Sequence, residues 1–284
     1  MKTTTIYNVR EWLHALNLGA QTGNLACPKF LKPYHLVTLA LMLKQRNAQW
    51  LELSEEIESY ALRMGLWDAA GIIPPYEMTQ NPTQNKFLPV AALEDPSAIS
   101  LVAKNLIHLV YQQKFGIDSF ESVEIMLMEL IENTYKHARV QNQLNGLVCA
   151  QSWPRGDLAQ IVFADTGIGI RNSLYENPHL RDKLAHMNPC QLASELGITS
   201  KPNAHSGYGL ALTKGLITQG KGSMIIISQH EGYCVNAGKE ITFQVPAWQG
   251  TLIILEWPIH QKLDVGAVYA SWPIPEGFEL NDFD

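Results

Sequence analysis

Residues 129–138, ELIENTYKHA, carry two carboxylates, an amide, an ammonium and an imidazole within one short stretch. Placed on a helix over residues 121–138 at about 100° per residue, Leu127, Leu130, Ile131, Thr134 and Ala138 gather on one side, and Glu129, Glu132, Asn133 and Lys136 on the other. Spacings of three and four residues return side chains to one face. A solvated surface has this pattern, and so does a site for an anion and a metal. The amide tilts the balance toward a site. An asparagine inside a helix competes with the backbone and has poor propensity, yet its carbonyl oxygen is a good ligand for a hard cation such as magnesium.

A second stretch is FADTGIGI, residues 163–170. A strand rich in β-branched and aromatic residues ends in Asp165, and Gly167 and Gly169 follow at alternate positions. Glycines there let the backbone turn sharply or let a flat ring approach closely. A carboxylate at a strand end can accept hydrogen bonds from an exocyclic amine, which would distinguish adenine from guanine. Alone, the same residues also describe an ordinary turn. The third stretch is SGYGLALTKGL, residues 206–216, where Gly207 and Gly209 precede a helix-forming run. Backbone N–H groups at such a helix start can hold a phosphate. It is neither a P-loop nor a dinucleotide fingerprint, because GxxxxGK[ST] is absent and no GxGxxG follows a strand.

The elements that must position these residues can be read from the whole chain. Its 284 residues can bury a large core, and 46% hydrophobic with 17% charged residues describes a packed protein, not a disordered one. A formal charge of −6 with no basic cluster argues against direct nucleic-acid binding. Cys27, Cys149, Cys190 and Cys234 are scattered without a CxxC pair, the usage of a reducing compartment. The first residues lack the apolar core of a signal peptide, and the longest greasy run, residues 36–43, is too short for a bilayer. A cytoplasmic protein without a membrane partner is expected.

Five prolines between residues 73 and 96 mark a connector. Before it, helical composition at residues 33–46, strand-like alternation in QWLEL (49–53) and a helix start at Ser54 predict a small α/β unit over residues 1–72. After it, helices are expected at 97–114 and from Ser119 through the ELIENTYKHA stretch. Strands are expected at 146–153, 158–165, 223–228, 240–245 and 250–258, with residues 171–206 as a long polar, proline-broken interruption. Helices on a mixed, mostly antiparallel sheet give an α+β fold.

Taken in this order, the three stretches resemble the N-box, G1 box and G2 box of the GHKL ATPases: gyrase, the large heat-shock chaperone, histidine kinases and mismatch-repair proteins. The resemblance covers roughly residues 97–258 and implies a Bergerat-type α/β sandwich binding ATP and Mg²⁺, with residues 259–284 as a C-terminal tail. By motif, it implies Glu129 as the general base and Asn133 as the Mg²⁺ ligand. Lys136 and His137 would lie near the phosphates, Asp165 on the adenine amine, and Gly167, Gly169 and Ile170 around the adenine pocket. Gly207, Gly209 and Leu210 would sit at the phosphate cradle and Thr251, from GTLIILEWP, near the adenine. Residues 171–206 would be the mobile ATP lid, with Lys201 and His205 either reaching phosphate or merely solvated. His179, His186 and Cys190 do not read as a metal site, since Pro189 breaks the helix between them.

Within the superfamily, no phosphoacceptor histidine in an SHELRTP-like context is present, His108 has apolar surroundings, and residues 259–284 are too few for a transducer domain. VEIMLMELIENTYKHA is similar to the corresponding helix of stand-alone anti-sigma-factor kinases. Residues 25–72 weakly resemble a STAS domain, the usual partner of such kinases, with Leu31, Lys32, Pro33 and Tyr34 where the Asp-Ser acceptor would lie. An unrelated α/β cap fits equally well. The implied function is slow ATP hydrolysis or phosphotransfer to a partner protein, a STAS-domain or regulatory protein, with a homodimer left open. The rival is a non-catalytic sensor whose lid orders on ATP.

Overall fold

The structure, a computed structural model, describes residues 2–76, 86–93, 96–111, 117–137, 139–140, 143–144, 146–202 and 206–273. Four helices come first: α1 (Ile6–Thr22), α2 (Pro33–Gln45), α3 (Glu55–Arg63) and α4 (Leu66–Ala70). Strand β1 (Phe87–Ala92) leads to α5 (Pro96–Tyr111) and α6 (Ile117–His137), then to the two-residue strands β2 (Arg139–Val140) and β3 (Gln143–Leu144). Strands β4 (Gly146–Trp153) and β5 (Leu158–Asp165) follow, then short helices α7 (Ile170–Tyr175), α8 (Arg181–His186) and α9 (Pro189–Leu192). Helix α10 (Gly209–Gln219), the long strands β6 (Ser223–Asn236) and β7 (Lys239–Trp257), and α11 (Val265–Ala270) complete the described chain.

The fold is α+β, built on a five-stranded sheet in the order β1-β4-β5-β7-β6. Every neighbouring pair in it is antiparallel, where a mixed sheet was expected. Alternate residues of each strand feed two separate cores. Leu147, Cys149, Val162, Ala164, Ile225 and Ile254 face α1 to α4, including Trp12, Leu36, Leu39 and Trp67. Val148, Ala150, Ile161, Phe163, Ile226 and Leu255 face α5, α6 and α10, including Leu106, Leu127, Leu130 and Leu216. A sheet buried on both faces explains why its strands read as near-continuous apolar runs. Trp67 and Trp257 are among the largest fully buried side chains, and truncating such a residue costs about 3–5 kcal/mol.

The structure corrects two sequence expectations. The strand expected at residues 49–53 does not form, so residues 2–72 are helical in their regular structure, where helix–strand–helix order was expected. Five alternating residues make an extended segment but bring no partner strand; Trp50 is left 71% exposed, and the Val90 N–H at the sheet edge bonds the Met64 carbonyl (2.8 Å) instead. Conversely, the proline-rich connector contains β1. It pairs with β4 through Leu88–Ala150 and Ala91–Val148, with a register break between Leu88 and Ala91 that accommodates Pro89. An edge strand with a bulge is where a residue lacking an N–H can sit.

A buried polar network ties the N-terminal segment to the sheet. Glu256, 1% exposed, accepts from the Thr4 N–H (2.6 Å), the Thr4 hydroxyl (2.5 Å), Gln160 Nε2 (2.6 Å) and Lys32 Nζ (3.1 Å). Lys32 also donates to the Lys2 carbonyl and Thr4 Oγ1. A charge removed from water is tolerable when its lone pairs and protons are all satisfied. The strands expected at 223–228, 240–245 and 250–258 merge into one hairpin of β6 and β7. Ala237 (φ 46°) and Gly238 (φ 81°) form its two-residue turn, the positive-φ pair that matches strand twist. Among the described residues no helix is long and apolar enough to cross a membrane.

Candidate functional site

A cavity of about 820 Å³ opens between α6, the end of β5, the start of α10 and β7. Ligand sites commonly have volumes of ~300–1,000 Å³. Helix α6 presents its apolar stripe (Leu127, Leu130, Ile131) to the sheet core and its polar stripe (Glu129, Glu132, Asn133) to this cavity. The 3.6-residue period divides the helix in this way, and the Thr134 hydroxyl satisfies itself on the Leu130 carbonyl (2.9 Å).

Asp165 ends β5 at the cavity wall, only 4% exposed. Its Oδ1 accepts the Gly167 N–H at 2.7 Å, and Thr251 on the neighbouring β7 donates to it from both backbone and hydroxyl. Burial pushes the Asp165 carboxyl up to about 7, and those three hydrogen bonds hold it from rising further. β7 approaches so closely that a Cβ on Gly250 (φ +83°) would fall 2.2 Å from the Asp165 carbonyl oxygen, so this position requires glycine.

Ser228 on β6 fastens the adjoining turn. Its hydroxyl donates to the Gly250 carbonyl (2.8 Å) and accepts the Ile170 N–H (2.8 Å). A Cβ on Gly169 (φ +81°) would meet the same Oγ at 2.9 Å. On the opposite wall, Gly207 and Gly209 bracket Tyr208 at the start of α10. A Cβ on Gly209 would lie 2.5 Å from Glu129 Oε2. The Glu129 carboxylate therefore sits at the N-terminus of an eleven-residue helix, where free N–H groups and the macrodipole favour negative charge.

Of the residues expected at the site, Glu129, Asn133, Asp165, Gly169, Ile170, Gly207, Gly209, Leu210 and Thr251 line the one cavity, and Lys201 joins them. Gly167 is not among the lining residues; its backbone N–H supports the Asp165 carboxylate from behind. The side chains of Lys136 and His137, and residue His205, lie outside the described residues. The sequence reading missed Ser228, Gly250 and Tyr208. Ser228 had one signal, a hydroxyl ending the apolar run SMIIIS, and Gly250 another, preceding Thr251 where β7 crosses Asp165.

The stretch expected to be a flap is largely folded. Leu174, Leu180, Leu184, Leu192 and Ala193 build a small core of their own around α7, α8 and α9. Asn177 and Asn188 cap its turns, so prolines that break one long helix permit several short ones. Arg171 anchors it through two hydrogen bonds to Glu231 (3.0 and 2.5 Å) and one to the Leu184 carbonyl (2.7 Å). Among the described residues no group of three His, Cys, Asp or Glu side chains could hold a metal ion. No model of a known protein family matches this chain, and no curated protein matches it.

Proposed function

We propose that this chain binds Mg-ATP in a GHKL-type, Bergerat-like sandwich and uses slow hydrolysis, or phosphotransfer to a partner protein, to switch an interaction. One observation carries the reading. Residues from α6, the β5 end, the 207–209 loop and β7, separated by up to 122 positions between Glu129 and Thr251, line a single cavity with Asp165 buried at one wall.

The residues present fit the ligand. Asp165 offers a buried acceptor for an adenine amine, and Gly169 and Gly250 keep the surrounding backbone thin. Asn133 offers the amide oxygen that Mg²⁺ accepts as a ligand, and Glu129 stands one turn away on the same face as the base. The α10 N-terminus and Lys201 offer N–H groups and a positive charge for phosphate. Bound Mg²⁺ would supply neutralisation of the phosphate charge. Glu129 would accept the proton of the attacking water or hydroxyl as that oxygen bonds to the γ-phosphorus and ADP leaves with the electron pair of the broken P–O bond.

A second reading is favoured by the close approach of Glu129 to Gly209. There the carboxylate serves as a helix-capping anion and the protein is a sensor that binds ATP without turnover. Calorimetric titration with Mg-ATP, beside assays for phosphate release and for label transfer from γ-labelled ATP to a lysate, tests both. Absence of binding at millimolar nucleotide would reject both, and binding without turnover would leave the sensor.

A further inference from the structure

We infer that the C-terminal segment, residues 263–272, is a clamp that positions the 207–209 loop against Glu129. It deepens the reading of the site given above, although the clamp itself can be tested without nucleotide.

The segment is rooted on the two helices that carry those residues. Toward α10, Leu263 is fully buried, and a Cβ on Gly220 would meet it at 2.6 Å. A Cβ on Gly215 would strike Val268 Cγ1 at 2.5 Å, so α11 packs directly on α10 backbone. The Asp264 N–H donates to Gln219 Oε1 (2.7 Å), and the Asp264 carboxylate caps α11 at the Ala267 N–H (3.0 Å). Toward α6, the Val265 N–H donates to Ser122 Oγ (2.8 Å). The spacing of α6 and α10 sets the gap between Glu129 and Gly209, and α11 bridges both.

From this base the segment reaches the cavity. The Trp272 ring packs edge-on against Tyr208 (centroids 5.3 Å, 61°) and against Tyr269 (4.9 Å, 76°). Tyr208 is the residue between the two loop glycines and lines the cavity. Edge-to-face aromatic pairs hold ring orientation as well as burying area. Tyr269 lies close enough to Glu129 that the carboxylate, after burial, raises its hydroxyl above the ordinary range. A loop containing two glycines has many backbone states to lose, and the aromatic contact restricts the residue between them.

Trp272 and Tyr269 are thus positioning residues. The test is amide hydrogen exchange on the full chain, comparing wild type with Trp272→Ala and Trp272→Phe. Exchange in residues 206–212 should rise about tenfold in Trp272→Ala while β4 and β5 stay protected, and Trp272→Phe should stay near wild type. Mg-ATP affinity should fall roughly tenfold in the alanine variant and recover in the phenylalanine variant. Faster exchange in 206–212 of Trp272→Ala with none of the three proteins, wild type included, binding Mg-ATP would keep the clamp and remove the nucleotide reading. Unchanged exchange in 206–212, or a rise spread evenly over the molecule, overturns the clamp. Should Trp272→Ala fail to fold, Tyr208→Ala reads the same contact from the other side: faster exchange in α11 supports it, and unchanged exchange overturns it.

Discussion

Gly209 and Glu129 approach so closely that a methyl group on the glycine would sit 2.5 Å from the glutamate Oε2. The start of α10 and the polar face of α6 are therefore in close contact, and a side chain at position 209 must displace the end of Glu129. Gly209→Ala should push the carboxylate aside while leaving the helix intact, since alanine is a good helix former. The expected outcome is a melting temperature near wild type with Mg-ATP affinity or turnover reduced at least about tenfold. A variant with wild-type binding and turnover would show that the fit between these residues is irrelevant to the site.

Glu129 and Asn133 lie one turn apart on the cavity face of α6, and their removal should have different consequences. Glu129→Ala should bind Mg-ATP nearly normally while turnover falls by something like 10²–10⁴. Asn133→Ala should weaken binding itself, with turnover falling as a consequence. Calorimetry and phosphate release, measured side by side, separate the two. If wild type shows no turnover and Glu129→Ala matches it in every property, the sensor reading stands.

Selectivity for adenine should depend on Asp165. Asp165→Asn places a donor against the adenine amine and should cost on the order of 1–3 kcal/mol of ATP binding. Normal ATP binding by the variant, or preference of wild type for GTP, would remove Asp165 from the adenine contact. In wild type, saturating Mg-ATP at a hundredfold its Kd should stabilise the fold by about 2.7 kcal/mol.

Asp165 and His35 should give opposing pH dependences to the ligand-free protein. The Asp165 carboxyl is raised from 3.8 to about 7, first by burial. The native state therefore holds a proton the unfolded chain has lost, and this contribution, full below pH 3.8, disappears as pH rises through about 7. His35 is lowered from 6.5 to about 3 by burial and then by the Lys32 charge. Its contribution is full above pH 6.5 and disappears as pH falls through about 3. Each shift corresponds to roughly 4–5 kcal/mol across its window, and they largely cancel between pH 4 and 6.5. Asp165→Asn should thus expose a stability that climbs with pH in this range, measurable by urea denaturation at several pH values. A variant as flat as wild type would exclude the compensation.

Glu256 collects four hydrogen bonds from Thr4, Gln160 and Lys32. Glu256→Ala leaves the Lys32 charge and three buried donors without this acceptor and should cost about 3–5 kcal/mol. Glu256→Ala combined with Lys32→Met should recover part of that loss, because the uncompensated charge goes too. Denaturation midpoints of the single and double variants decide, and equal losses in both would mean the ion pair contributes nothing.

The sequence by itself determined the elements around the site closely. β4 and β5 occupy the expected residues 146–153 and 158–165, because strands buried on both faces are continuous apolar runs between turn residues. The α6 stripes followed from period alone, with Leu127, Leu130 and Ile131 fully buried as anticipated. Local chemistry misled where a partner was required. QWLEL has strand alternation but no strand to pair with, and β1 hides among prolines because only the sheet edge, a tertiary feature, makes Pro89 tolerable. Tertiary structure alone decided that Gly209 abuts Glu129, that Gly250 and Thr251 close over Asp165, and that Trp272 reaches Tyr208. Hydrophobic period is encoded within a few residues of itself. Contacts between positions tens of residues apart depend on how two cores pack a shared sheet, and no local spacing records that.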